Sequence, residues 1–268
     1  MLEVRDLRVV YPNGFEALKS ISLSVAPSEI VALVGRSGAG KSTLLRCING
    51  LQPITSGHIS IGGVPLAGLG GRELADMRRS IGFIWQEYNV VERISALHNV
   101  LTGRLGHNRG LASLLFYFSR NDRAIAVRSL ERVNLLHRAS QRADRLSGGE
   151  KQRVAIARAL AQQPQVILAD EPVASLDMEL AWQVMNDLVR VARDEGVPTV
   201  ISIHDVELAR AFADRIVGIA GGRVVCECRP ADFTSDRIDA VYRFDRPAAP
   251  LGVPEPERPE RIPAGVGV

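Results

Sequence analysis

Apolar and charged residues alternate from Leu2 to Val10, the period of a half-buried strand. Tyr11-Pro12-Asn13-Gly14 reads as a turn, and alternation resumes from Ala17 to Val25 through Leu18, Ile21, Leu23 and Val25. Ile30 to Val34 is a short unbroken apolar run, as expected of a parallel strand buried on both faces. A glycine-rich loop follows it, and then a predicted helix from about Lys41 to Gly50. Gly57 to Gly68 predicts a small hairpin. The middle, about 87 to 163, is mostly helical by pattern; Ile125, Val127, Leu130 and Val133 recur at helical spacing within 123–136. Val166 to Ala169 predicts a second buried strand and Leu180 to Asp194 an amphipathic helix. Thr199 to Ile203 and Ile216 to Ile219 predict two more core strands with a helix between them. Strand, glycine-rich loop and helix in that order predict a nucleotide-binding α/β fold. The helical stretch reads as an insert in its core.

The chain has 268 residues, 46% of them hydrophobic, enough for one large α/β domain with a subdomain. After about Arg246 six prolines are scattered among Glu and Arg, so 247–268 is expected to be a disordered tail. A net charge of +3 is too mild to suggest nucleic acid, which calls for a clustered basic stripe. Three cysteines, Cys47, Cys226 and Cys228, do not make a disulfide framework and suit a reducing compartment. Cys226 and Cys228 share one face of a strand, where two small apolar side chains are the plainer reading than a metal pair. No secretory leader is visible, and no stretch approaches the roughly 20 apolar residues of a membrane span. The greasiest run, Leu111 to Phe118, is expected to be a surface for a partner.

Three segments carry chemistry. Gly35-Arg36-Ser37-Gly38-Ala39-Gly40-Lys41-Ser42 matches the phosphate loop G-x-x-x-x-G-K-S in full. Its small residues let backbone N–H groups wrap phosphate oxygens at the positive end of a helix. Lys41 is expected on the β- and γ-phosphates, Ser42 on Mg²⁺ and Thr43 near the α-phosphate. Second, the strand Val166 to Ala169 ends in Asp170-Glu171, at the carboxyl edge where α/β sheets bind ligands. Asp170 is placed to hold Mg²⁺, and Glu171 to polarise an attacking water as general base. Third, Leu146-Ser147-Gly148-Gly149-Glu150 precedes an apolar-periodic helix. Ser147 with Glu150 is a capping box, and the segment also presents backbone N–H groups to an anion. One nucleotide does not need two such clamps in one chain; in a dimer each chain's Ser147 loop can close on the other chain's ATP.

Together these segments resemble the ABC ATPase family over about residues 1–228. The resemblance implies a mixed-sheet phosphate-loop core with an antiparallel N-terminal portion, a helical subdomain inserted at about 87–163, and a short extension at 229–246. It implies a head-to-tail dimer with two ATP molecules, each touching the phosphate loop of one chain and Ser147, Gly148 and Gly149 of the other. Gln86 is similar to the glutamine that contacts Mg²⁺ and the water and reports to a membrane partner. His204 resembles the histidine on the γ-phosphate, Ser175-Leu176-Asp177 the loop that crosses the dimer interface, and Tyr11 the aromatic that stacks on adenine. A structural histidine and a turn tyrosine are the plainer alternatives for His204 and Tyr11. Trp85 and Glu150 depart from the commoner Phe and Gln, at positions that do not touch the phosphates.

Within the family, 99–106, 141–147 and 168–177 resemble the ATPase subunits of phosphonate importers. That resemblance implies a peripheral subunit on the cytoplasmic face of the inner membrane. Its partners would be integral permease subunits and, indirectly, a periplasmic or lipid-anchored solute-binding protein. Systems for phosphate, phosphite or another anion, and lipoprotein-release or export systems, are alternatives. A soluble repair or translation ATPase is a further one, although the chain has neither long heptad inserts nor tandem phosphate loops.

Overall fold

The structure, a computed structural model, describes residues 1–107 and 117–243. Helices are numbered among those residues. Strands β1 (Leu2–Val10), β2 (Glu16–Val25), β4 (Ser56–Ile61) and β5 (Val64–Pro65) form an antiparallel sheet in the order β2-β1-β4-β5. The alternation along β1 puts Leu2, Val4, Leu7 and Val9 inside, as the sequence period requires. Gly62 and Gly63, both at positive φ, turn β4 into β5.

The second sheet has six strands in the order β10-β9-β3-β8-β7-β6. They are β3 (Ile30–Val34), β6 (Ile81–Ile84), β7 (Val166–Asp170), β8 (Thr199–Ser202), β9 (Arg215–Ala220) and β10 (Arg223–Cys228). All neighbours pair in parallel except β10, an antiparallel edge strand, so the sheet is mixed. Strands β3, β6, β7 and β8 are buried at every position, which explains why they read as apolar runs without alternation.

One face of this sheet packs on the antiparallel sheet and α1 (Lys41–Ile48), through Leu33, Leu44, Ile48, Ile59 and Phe83. The other face carries the helices that follow β6: α3 (Ala96–Thr102), α4 (Arg120–Arg132) and α5 (Gly148–Ala161), with α6 (Met178–Asp194) and α7 (Val206–Phe212) alongside. Short α2 (Gly71–Arg79) precedes β6, and α8 (Ser235–Tyr242) ends the described chain. An ion pair of two side chains each 6% exposed, Arg104 with Asp122 at 2.9 Å, ties the end of α3 to the start of α4. Arg104 also donates to the Ala161 carbonyl, closing the last turn of α5.

Two expectations change. The periodic segment starts at Arg120, not Arg123, because Ser119 and Asp122 form a capping box one turn earlier, and it ends at Arg132 with Asn134 at positive φ. The expected greasy surface at Leu111 to Phe118 does not include Phe118. Its side chain is 4% exposed and belongs to the helical core, while Tyr117 is 73% exposed. An apolar residue beside a helix start served the interior, the commoner fate of a phenylalanine. Residues 111–116 of that run and the 247–268 tail lie outside the described residues. Among the described residues no helix is long and apolar enough to cross a membrane.

Candidate functional site

Adjacent order β3-β8-β7-β6 explains how distant segments meet. The phosphate loop leaves the carboxyl end of β3, His204 follows β8, Asp170 and Glu171 end β7, and Gln86 follows β6. Parallel strands sit about 4.8 Å apart, so four neighbouring ends bring residues from 35 to 204 within one ligand's reach.

The loop itself is built on glycine. Gly35 has φ +151°, and a Cβ there would sit 2.2 Å from the Ile219 carbonyl oxygen. Gly40, the residue before α1, has φ +110°, with the Ala17 carbonyl and Leu18 closing on any added carbon. Lys41 is 4% exposed and donates to the Gly35 carbonyl at 2.8 Å and the Arg36 carbonyl at 3.2 Å. Burial pulls its pKa below the usual lysine value, while nearby Glu171 and Asp170 oppose that shift. Thr43 Oγ1 lies 3.1 Å from the Tyr11 hydroxyl.

The acids are wired to the loop. Ser42 Oγ donates to Asp170 Oδ1 at 2.8 Å, and Ser202 Oγ donates to the same oxygen at 2.8 Å. The Glu171 N–H donates to Ser202 Oγ at 2.9 Å. Glu171 has φ +49°, unusual for a residue with a side chain, and its Oε1 hydrogen-bonds His204 Nε2. Glu171, Lys41, Ser42, Thr43, Ser37, Gly38, Gly40, Tyr11 and Phe15 line one cleft of about 270 Å³. The Tyr11 and Phe15 rings are nearly parallel, at 8° and 6.4 Å between centroids.

The remaining expected residues lie outside this cleft. Gln86 is exposed and lines a separate groove of about 690 Å³ with Glu87, Tyr88, Glu92, Lys151 and Ser175. Ser147 caps α5, accepting from the Glu150 N–H, while Glu150 accepts from the Ser147 N–H at 2.8 Å. Arg138 holds Glu150 at 3.0 Å. Gly148 backs on Tyr88 and Gly149 on Leu180. Asp177 caps α6 through the Leu180 N–H. The plain capping role read from the sequence for Ser147 is therefore present, its hydroxyl bonded to its own helix start.

Two residues went unread. Ser202, fully buried, bridges Asp170 and the Glu171 backbone; its signal was a hydroxyl at the end of an apolar strand, paired in register with Asp170. Phe15 had no signal beyond being an exposed aromatic four residues from Tyr11.

A family model for ABC transporters matches residues 18–174, more than half of the chain. This chain belongs to the ABC transporter family. A phosphonates import ATP-binding protein, PhnC, of Bacillus thuringiensis is 46% identical over 242 residues, covering 90% of this chain and 94% of that protein. PhnC of Staphylococcus aureus is 45% identical over 241 residues, with the same coverage of both chains. Among solved structures, the dimeric ATP-binding cassette MJ0796 bound to ADP and Pi superposes with a TM-score of 0.74 at 34% identity, covering 86% of this chain and 99% of that one. CbiO1 from Clostridium perfringens, part of the transporter complex cbiONQ, gives 0.77 at 28% identity, covering 89% and 92%. The expected fold is thus the observed one.

Proposed function

We propose that this ABC ATPase powers phosphonate import, working as a head-to-tail dimer on the cytoplasmic side of integral permease subunits fed by a solute-binding protein. The observation that carries the ATPase part is the chain of contacts from Ser42 through Asp170 and Ser202 to Glu171 and His204. Sequence identity sustained along nearly the whole of PhnC supports the phosphonate part.

In this reading the backbone N–H groups of Gly35 to Gly40 cradle the phosphates and Lys41 leaves its carbonyl partners for the β- and γ-oxygens. Tyr11, with Phe15 beside it, offers the adenine a flat face. Ser42 and Asp170 present two oxygens to the same point, a donor set that suits Mg²⁺, which takes its other ligands from phosphate and water. Mg²⁺ would neutralise charge on the phosphates; Gln86 would join its shell once the groove segment moves inward. Glu171 takes the proton of the attacking water, which bonds to the γ-phosphorus as the bond to ADP breaks. His204 steadies both Glu171 and the γ-phosphate. Ser147, Gly148 and Gly149 of a second copy complete the site, and Asp177 lies at the interface between copies.

The groove beside Gln86 is the place for a permease helix. Its floor is tied to the signature helix, since Arg158 of α5 donates to the Tyr88 and Asn89 carbonyls at 3.1 and 2.5 Å. Buried Asn99 grips the same loop through the Val91 N–H and carbonyl. Movement at Gln86 thus reaches the Ser147 end of α5 through one rigid element.

Deleting the chain from its host should abolish growth on a phosphonate as sole phosphorus source while leaving growth on phosphate intact. Unimpaired growth on phosphonate would refute the substrate. Equal loss on both sources would favour a phosphate system.

A further inference from the structure

The C-terminal extension carries none of the motifs described above, yet it ends against the catalytic strand ends. Phe233 is fully buried, and its carbonyl accepts a hydrogen bond from Arg210 of α7. Val241 of α8 is 1% exposed. It packs so closely on Gly218 of β9 that a Cβ at that glycine would lie 2.3 Å from Val241 Cγ2. Gly218 pairs with Val34, the last residue of the strand that feeds the phosphate loop. One residue beyond Val241, the Tyr242 hydroxyl donates to the His204 backbone carbonyl at 3.2 Å. Burial pushes the phenol's pKa up.

The phenol therefore meets the main chain just past the end of β8, at the residue that carries the imidazole facing Glu171. The His204 side chain is 42% exposed, and among the described residues its hydrogen-bond partner is Glu171. Its position rests on its backbone, and Tyr242 is the side chain that holds its carbonyl.

We propose that Tyr242 is a positioning residue for ATP hydrolysis: its hydroxyl fixes the main chain of His204 and so the imidazole that meets Glu171. The inference rests on the catalytic pairing of Glu171 and His204 proposed above. It extends the working site to a helix outside the motifs read from the sequence.

Tyr242→Phe keeps the ring and removes the hydroxyl, so packing and function separate. With the purified full chain, ATP turnover, KM for ATP and melting temperature are measured for Tyr242→Phe, Tyr242→Ala and Glu171→Gln. Misplacing a catalytic group by a fraction of an ångström is costly, so the Phe variant is expected to lose about tenfold in kcat, with KM within about twofold. Its melting temperature should stay within about 3 °C, the scale of one modest hydrogen bond. The Ala variant should lose both turnover and thermal stability. Wild-type kcat in Tyr242→Phe, with Glu171→Gln inactive, overturns the role of Tyr242 alone. A loss that appears only as a lower melting temperature or a raised KM assigns Tyr242 to packing and likewise overturns it. Full turnover in Glu171→Gln overturns the catalytic pairing, and the inference with it.

Discussion

Two anion-facing helix starts in this chain are built in opposite ways. At α1 the turn before the helix has no side-chain cap; its shape comes from glycines at positive φ, and the polar side chains around it bond one another across three elements. At α5 the turn is an ordinary capped helix start, closed on itself by Ser147 and Glu150 and braced by Arg138. The first is a site in its own right, with lysine, serine and carboxylates converging. The second offers backbone N–H groups and a hydroxyl, with no carboxylate pair or lysine converging on them. In the proposed dimer such a surface gains its catalytic purpose beside the other copy's phosphates. That asymmetry is what a composite dimer site requires of one chain.

The comparison can be broken at either start. Glu171→Gln should be the most severe change: turnover falls about 10³-fold, the order for removing a general base. Nucleotide is still bound, and a dimer persists in ATP by sedimentation. Lys41→Ala should weaken ATP binding by roughly 100-fold, since a charge-assisted contact to phosphate is lost, as titration calorimetry would read. Glycine substitutions sharpen the contrast. Gly40→Ala forces a side chain to φ +110° against the Ala17 carbonyl, so it should cost about 2 kcal/mol or more of stability in denaturant melts. Gly148→Ala meets side-chain ends alone, the Tyr88 hydroxyl at 2.9 Å and Leu176 Cδ2 at 3.3 Å. It should melt within about 3 °C of the unaltered chain yet lose ATP turnover, because its effect falls on the neighbouring copy. The smallest effect concerns Cys47, on the buried face of α1. Burial pushes its thiol up to about 12, so at pH 8 the thiolate is scarce and the folded chain should resist alkylation at Cys47. Unfolding restores an ordinary thiol, and reaction should then be complete.

Much of this was readable along the chain for definite reasons. The phosphate loop is contiguous, and Gly35, Gly40 and Lys41 owe their places to local backbone shape. The buried parallel strands announced themselves as apolar runs, and Asp170 and Glu171 stand out as acids ending one of them. Ser202 was hidden because its role depends on register with β7, a pairing 32 residues away that no local pattern carries. Tyr242 was hidden for the same reason, at a separation of 38 residues from His204. Phe118 misled because an apolar run looks the same whether it faces a partner or a core. Gln86 illustrates the limit from the other side: its motif is plain, but the structure leaves it exposed in a groove apart from Lys41 and Glu171.

The central claim is that a working site takes the phosphate loop of one chain and the Ser147 loop of another. Mixing two inactive variants, Lys41→Ala and Ser147→Arg, tests it directly. Half of the reassorted dimers would be mixed, and each mixed dimer would hold one intact site out of two. ATP turnover should therefore recover to about a quarter of the unaltered level. A mixture no more active than either variant alone would contradict the composite site.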